Sequence, residues 1–444
     1  MIVVATGDNT FEQTIINVTL TIKLNNLVVR IALVLVGLFV LTILARTFLF
    51  HFLIRNIADP RISMSQNALA AAAMRQPESG RILFRLAGTE MEESASDPQR
   101  LVNAQALALK AASLSPWNYR NWRALGAAQD SDGKLEEAIW AMRIASKLAP
   151  NNSEVNWMLA NLLIRQGSRT EALQAFRTAT QYSNDLLPAA MEVVWQAFDN
   201  DLNVLSSLVS KDASSQMMKA QFLLEQSQLD EAINVYRGIN AEAKLNFQSA
   251  AAFLDQLIKV GRSSDARWLW MELVANSGRG GIQDGMIWNG GFESSAPKNF
   301  GHFDWVIRPS DYARIGFDRN TFRSGQRSLR LNFIGRDTTK LMGDIQLMVV
   351  LNANKKYRLE CFAKSANLVT PEGPRIALQS EKGILAISEP VASGTTDWQH
   401  LIVEFTAPTD SATAQVSIIK IPRFEYEEPT KGSVWFDDFK LTEM

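Results

Sequence analysis

Hydrophobic residues fall along this chain in three successive patterns, and each predicts a different kind of element. Between Leu27 and Leu53 the run LVVRIALVLVGLFVLTILARTFLFHFL is apolar except for Arg30, Arg46 and His51. Its uninterrupted part, Ile31 to Ala45, would extend about 22 Å as a helix, short of the roughly 30 Å apolar core of a membrane. Arg30 and Arg46 can bend their aliphatic stems toward opposite interfaces, which lengthens the tolerated span by about a turn at each end. The pattern therefore predicts a transmembrane helix over about 27 to 50, within a segment 27–54 that follows an N-terminal stretch 1–26. The tract begins late and ends in Arg46 and bulky Phe residues, not in the small residues of a signal-peptide cleavage site.

From 62 to 276 small and apolar residues recur at helical spacing, and from 286 to the end they alternate in short β-rich runs. Those runs are 328–333, 345–350, 356–364, 375–379, 399–405, 414–419 and 433–441, separated by turn residues. Such spacing predicts a two-sheet sandwich or jelly roll. Between the two regions, NSGRGGIQDG (276–285) holds four glycines among polar residues with no periodicity, and 277–285 reads as a linker.

The helical region has an internal repeat. Trp122, Leu125, Gly126, Ala138, Met142, Ala145 and Pro150 follow the spacing of a tetratricopeptide repeat, and a shift of 34 residues lands on Asn156, Leu159, Ala160, Ala172, Phe176, Ala179 and Asn184, with Gly133 recurring as Gly167. Shifting backwards, Ala104, Ala108, Ala111 and Pro116 match the second helix of an earlier repeat, whose first helix falls near 82–92. Downstream the match loosens to Ala220, Ala232 and Tyr236, then Leu254, Gly261, Ala266 and Trp270. Small residues let paired helices approach while Trp122, Leu125 and Met142 fill the space between them. A stack of such hairpins offers a long concave face suited to holding a protein partner. Asn121, Arg123, Asn156 and Asn161 are polar positions beside the packing residues and are the candidates for lining that groove.

Composition narrows the chemistry. The chain carries 45 Lys plus Arg against 46 Asp plus Glu, so no global field attracts nucleic acid. A single cysteine, Cys361, excludes an intramolecular disulfide framework, and its place in the alternation Tyr357, Leu359, Cys361, Ala363 turns it inward. The three histidines, His51, His302 and His400, lack metal-ligand spacing, and phosphate-cradling, dinucleotide and nucleophile-elbow motifs are missing.

The C-terminal region resembles the carbohydrate-binding modules of the family-four and family-nine type, which are galactose-binding-like jelly rolls. The resemblance rests on Asn289-Gly290-Gly291-Phe292-Glu293, Trp305, Ser324-Gly325 leading into Ser328-Leu329-Arg330-Leu331, Tyr357-Arg358-Leu359 with Ala363-Lys364, Thr396-Asp397-Trp398-Gln399, Phe405-Thr406-Ala407-Pro408 and Val434-Trp435-Phe436-Asp437-Asp438-Phe439. It implies a structural calcium held by Glu293 with Asp437 or Asp438 and carbonyls near 322–325; alternatively these acids cap turns or pair with arginines. It also implies a glycan ligand, for which Trp288, Trp305, Tyr312, Phe424 and Tyr426 are the aromatic candidates. Trp398, Phe405, Trp435 and Phe436 lie in the strand pattern and read as core. Acidic neighbours such as Glu425 with Glu427, or Asp437 with Asp438, do not flank a sugar from two sides, so no enzyme is expected.

The fold class expected is therefore multidomain: a transmembrane helix, an all-α tetratricopeptide solenoid over 62–276, and an all-β jelly roll over 286–444. The function expected is a single-pass scaffold in the bacterial inner membrane, holding a protein partner and a polysaccharide in exopolysaccharide or envelope assembly. A pure protein scaffold is the alternative. Lys23 and Arg30 precede the apolar tract and Arg46, Arg55 and Arg61 follow it, too even a count to fix orientation; the sandwich type favours a periplasmic or extracellular location.

Overall fold

The computed structural model describes residues 27–57, 66–95, 97–278, 283–409 and 413–444. Residues 1–26, with Lys23, and Arg61 lie outside them. Helices come first: α1 Leu27–Ile57, α2 Gln66–Arg75, α3 Gly80–Glu92, α4 Pro98–Leu114, α5 Tyr119–Ser131, α6 Leu135–Leu148, α7 Ser153–Gln166, α8 Arg169–Tyr182, α9 Leu187–Ala197, α10 Leu202–Leu208, α11 Ala213–Glu225, α12 Leu229–Gly238, α13 Ala241–Asn246, α14 Gln248–Lys259 and α15 Ser263–Asn276. Strands follow: β1 Gln283–Asp284, β2 Ile287–Trp288, β3 Val306–Ile307, β4 Ala313–Asp318, β5 Ser328–Ile334, β6 Ile345–Val350, β7 Lys356–Val369, β8 Arg375–Ser380, β9 Gly383–Ile387, β10 Gly394–Thr406, β11 Thr413–Ile419 and β12 Lys431–Glu443. The chain divides into two compact units, Met1–Ser183 and Asn184–Met444, so the last seven helices belong with the strands.

In the first unit, α1 contains Ile31–Leu49, apolar enough to cross a membrane and with none of its span buried. Helices α3/α4, α5/α6 and α7/α8 form successive hairpins whose contact faces are built from small residues: Ala104, Ala108, Ala111, Ala138 and Ala145 are fully buried. Gly126 shows why the motif needs glycine, since a Cβ there would sit 2.9 Å from Met142 Cγ and 3.2 Å from the Ala138 carbonyl. Helix starts are set by side chains that accept from free N–H groups: Asp97 from Gln99, Asn118 from Arg120 and Asn152 from Val155. Gly167 closes α7 in the left-handed conformation at φ 86°.

In the second unit the strands form two five-stranded antiparallel sheets, ordered β10-β7-β12-β5-β4 and β3-β6-β11-β8-β9. Alternation puts Leu329, Leu331, Leu359, Cys361, Ala363, Val434 and Phe436 of one sheet and Leu347, Val349, Ile376, Leu378, Val416 and Ile418 of the other into one core. The buried Cys361 thiol is pushed well up by burial, which makes it a packing residue.

The glycine-rich stretch read as a linker does not separate helices from strands. Its described part is stitched to the last strand: the Met286 N–H donates to the Leu441 carbonyl at 2.8 Å, and a Cβ on Gly285 would lie 2.4 Å from that same oxygen. Gly285 serves this close approach, and Gly278 and Gly285 take positive φ, at 69° and 73°. Beyond them α14 and α15 pack directly on the sandwich. Trp270 is fully buried, stands edge-on to Trp288 at 5.2 Å and Phe303 at 5.6 Å, and donates its ring N–H to the Phe300 carbonyl at 2.6 Å. Arg267 donates to the Met286 carbonyl at 2.8 Å. His302 reaches the Ala251 carbonyl at 3.2 Å and Asp255 at 3.2 Å.

Candidate functional site

Two of the four residues assigned to a protein-binding groove hold the repeats together instead. Asn121 is fully buried and donates to the Ala111 carbonyl at 2.9 Å and the Ser115 carbonyl at 3.3 Å, tying α5 to the end of α4. Asn156, also buried, donates to the Pro150 and Asn152 carbonyls and accepts from the Ser146 hydroxyl at 2.8 Å. A helix-hairpin turn leaves several carbonyls without intrahelical partners, and an asparagine amide meets them without a charge to desolvate. Asn161 donates back to Trp157 in its own helix. Arg123 pairs with Glu154 of the next hairpin, and burial lowers its pKa. A second pair, Arg165 with Asp130 at 2.5 Å, bridges the same two hairpins.

The three acids of the expected calcium site do converge. A Cβ on Gly291 would lie 3.6 Å from Asp437 Oδ1, 3.7 Å from Asp438 Oδ1 and 3.8 Å from Glu293 Cγ. Their oxygens are engaged by nitrogen and hydroxyl donors. Glu293 Oε1 accepts from the Gln326 and Arg327 N–H groups, and Asp437 Oδ2 from those of Arg323 and Ser324. Asp438 accepts from the Arg323 guanidinium at 2.6 Å and the Ser324 hydroxyl at 2.5 Å. Among the described residues no group of three His, Cys, Asp or Glu is arranged to hold a metal ion. In this arrangement the acids cap the 323–327 turn and pair with arginine.

Burial pushes the Asp437 carboxyl up to about 6, against the three backbone N–H groups that favour its charge, and the neighbouring Asp438 adds to the rise. A carboxyl whose folded pKa exceeds its ordinary value of 3.8 binds its proton more tightly in the folded state, so folding stability falls as pH rises from about 4 to about 6. The expected loss is about 3 kcal/mol. Melting curves of the full chain across that window should show it, with Asp437→Asn flattening the slope; an Asn variant with an unchanged pH profile would disprove the assignment.

The aromatic candidates separate. Trp288, 2 % exposed, belongs to the joint with Trp270 and is not available to a ligand. Trp305 is half-buried on Phe292 and Phe439, at 5.1 and 4.7 Å, and donates its ring N–H to the Asn289 carbonyl. It completes a knot in which buried Asp304 accepts from the Ala296 and Trp305 N–H groups and from the Asn289 amide. The matching motif at 289–293 is therefore structural, and Gly290 is required because a Cβ would collide with the Phe439 carbonyl at 2.0 Å. Tyr312 is half-buried beside β4. Phe424 and Tyr426, in contrast, are 72 % and 86 % exposed.

Their loop, residues 421–430 between β11 and β12, is braced from below. Lys420 and Glu427 form an ion pair at 3.3 Å with both side chains almost wholly buried. Burial raises the Glu427 carboxyl, but the Arg423 N–H, the Lys420 ammonium and the Phe424 N–H outweigh it and leave the pKa below its usual value. The Thr338 hydroxyl donates to the Glu425 carbonyl at 3.1 Å, and Arg423 pairs with Glu372 at 2.7 Å. Beside it Glu372, Arg375, Ile387, Ile421 and Arg423 line a hollow of about 410 Å³.

Trp435, expected in the core, lies instead on the outward face of the β10-β7-β12-β5-β4 sheet. Val434 and Phe436 point inward, so the residue between them points out, where Arg330 covers it at 5.2 Å and Asp318 accepts its ring N–H at 2.8 Å. The same face carries Phe362, sandwiched between Arg323 at 3.4 Å and the His400 ring at 4.5 Å. Phe405 and Phe436 are core, and Trp398 is half-exposed.

No family model matches the chain. No curated protein matches it. Solved structures do. One titled "Crystal structure of MamA" is 17 % identical over 35 % of this chain and 89 % of its own, with a TM-score of 0.30. A MamA structure labelled MSR-1 is 28 % identical over 27 % of this chain and 66 % of its own, TM-score 0.24. One titled "CBM4 structure and function" is 18 % identical over 36 % of this chain and 99 % of its own, TM-score 0.26. Each likeness covers a minority of the chain at a low score and bears no weight beyond that; the hairpins and sheets stand on the contacts given above.

Proposed function

We propose that this chain is a membrane-anchored, non-catalytic interaction protein whose repeats hold a protein partner and whose sandwich holds a glycan, with the soluble part on the periplasmic side of a bacterial inner membrane, in exopolysaccharide or envelope assembly. The observation that carries the glycan reading is the pair Phe424 and Tyr426, exposed on a loop that the buried Lys420–Glu427 pair keeps in place. Exposed aromatic rings on a fixed support are what a pyranose face requires, and these two stand together on one loop. The membrane reading is supported by α1, whose Ile31–Leu49 span is unburied; a signal sequence would have the same appearance. A structural calcium belongs to the same proposal: it would need Arg323 to leave Asp438.

A second reading, a scaffold whose sandwich packs on protein and takes no sugar, draws support from the joint in which Trp288 is buried against α15. The two separate in one set of measurements on the full chain. A phosphatase active only when exported, fused after Met444, should be active. Affinity electrophoresis against a polysaccharide panel should retard the wild type and not Phe424→Ala/Tyr426→Ala, with the glycan recovered unchanged. Equal mobility of the two proteins on every polysaccharide would eliminate the glycan reading, and a silent but stable fusion would eliminate the periplasmic one. Calcium should raise the melting temperature and chelator lower it; no shift either way removes the ion.

A further inference from the structure

On the outward face of the sandwich, at the β4–β5 edge, lies a hollow of about 590 Å³, within the ~300–1,000 Å³ of small-ligand sites. None of the aromatic residues picked from the sequence lines it. Its floor exists because Gly316 stands opposite Arg330 in the β4–β5 register and leaves open space where a side chain would be. Three arginines surround the gap: Arg314 on β4, Arg319 just beyond it, and Arg330 on β5. Arg330 is fixed, its guanidinium 3.7 Å from Asp318, 3.1 Å from the Ser433 hydroxyl and stacked over Trp435, yet its buried Nε–H has no acceptor. Arg314 and Arg319 are exposed and, unlike most of the described arginines, have neither an ion pair nor a side-chain hydrogen bond among the described residues. The one acid present, Asp318, is committed to Trp435 and to the Asn320 N–H at 2.8 Å. Three positive charges against one thus border an open hollow, with amides of Asn320 and Asn332 beside them.

We infer that this hollow binds an acidic saccharide, a sugar unit bearing a carboxylate, through Arg314 and Arg319 with Arg330 at its base. Paired guanidinium N–H groups match a carboxylate in two-point geometry. The amides, which both donate and accept, match the vicinal hydroxyls that an acidic peptide would lack. The inference rests on the reading of the sandwich as a glycan-binding module, and it assigns the charge class of the glycan.

The test uses the full chain in detergent and titrates tetragalacturonate, its carboxyl-reduced neutral counterpart and tetraglutamate. Tetragalacturonate should bind, more weakly as salt rises, and Arg314→Ala and Arg319→Ala should each weaken it about tenfold without changing the melting temperature. Gly316→Leu, which fills the gap and leaves the charges in place, should abolish binding. Equal affinity for the neutral tetrasaccharide overturns the acidic assignment while leaving the glycan reading intact. Equal affinity for tetraglutamate replaces it with a peptide site. Wild-type affinity in all three variants removes the hollow from consideration. If no tetrasaccharide binds and the Phe424→Ala/Tyr426→Ala protein behaves as wild type on the panel, both proposals fall together.

Discussion

Trp270→Ala should destabilise the second compact unit by about 3–5 kcal/mol, the usual cost of deleting a buried aromatic. The indole fills the space between α15 and the sandwich, so its loss removes contacts with Trp288 and Phe303 together and the surroundings cannot collapse onto a methyl group. It also removes the donor to the Phe300 carbonyl, leaving a buried oxygen without its hydrogen, a further cost of about 1 kcal/mol or more. Trp270→Phe separates the two effects, because it keeps most of the volume and loses only the N–H; it should cost less than half as much. Chemical denaturation followed by near-ultraviolet circular dichroism measures both. A Trp270→Ala protein within about 1 kcal/mol of wild type would mean that helices and sandwich are energetically independent.

Lys420→Met should cost about 3 kcal/mol, because it leaves the Glu427 carboxylate buried without its partner, and breaking one side of a buried pair is far worse than replacing both. The double variant Lys420→Met/Glu427→Leu should recover part of that loss, limited by the Arg423 N–H that Glu427 also satisfies. The sign with pH follows from the lowered carboxyl: this contribution is present above the ordinary glutamate value of 4.5 and is lost as pH falls through the lower folded value. Thermal melts of the single and double variants at neutral pH decide the matter. A double variant as damaged as the single one would show that the methylene packing of Lys420, and not the charge pair, supports the loop.

The repeat hairpins were legible because their spacing is imposed by steric contact: Gly126 and the buried alanines recur wherever two helices must touch, and chemistry cannot substitute for small size there. The groove was misread for a reason equally local. Asn121 falls, one period on, at Val155, which is buried, and that comparison would have marked the position as interior. In the sandwich, β5 to β8 and β10 to β12 carry plain alternation, whereas β4 reads Ala-Arg-Ile-Gly-Phe-Asp with a glycine in the middle and β9 is a half-exposed edge. Neither strand carries a periodicity readable from sequence, and the arginine-lined hollow lies on β4. Trp435 was misplaced by its type: its neighbours Val434 and Phe436 already fixed the inward register, so an indole between them had to face out. Trp288 offered no such signal, since what buries it is a helix whose packing the local sequence does not encode.

The strand order has a consequence for synthesis. β12 is the last strand in the chain, yet it sits in the middle of its sheet, paired with β7 on one side and β5 on the other. A nascent chain therefore holds two open sheet edges apart until Lys431 to Glu443 has left the ribosome. Without Lys431–Glu443 the pairs β10-β7 and β5-β4 have no strand between them, and the core lacks Val434, Phe436, Phe439 and Leu441.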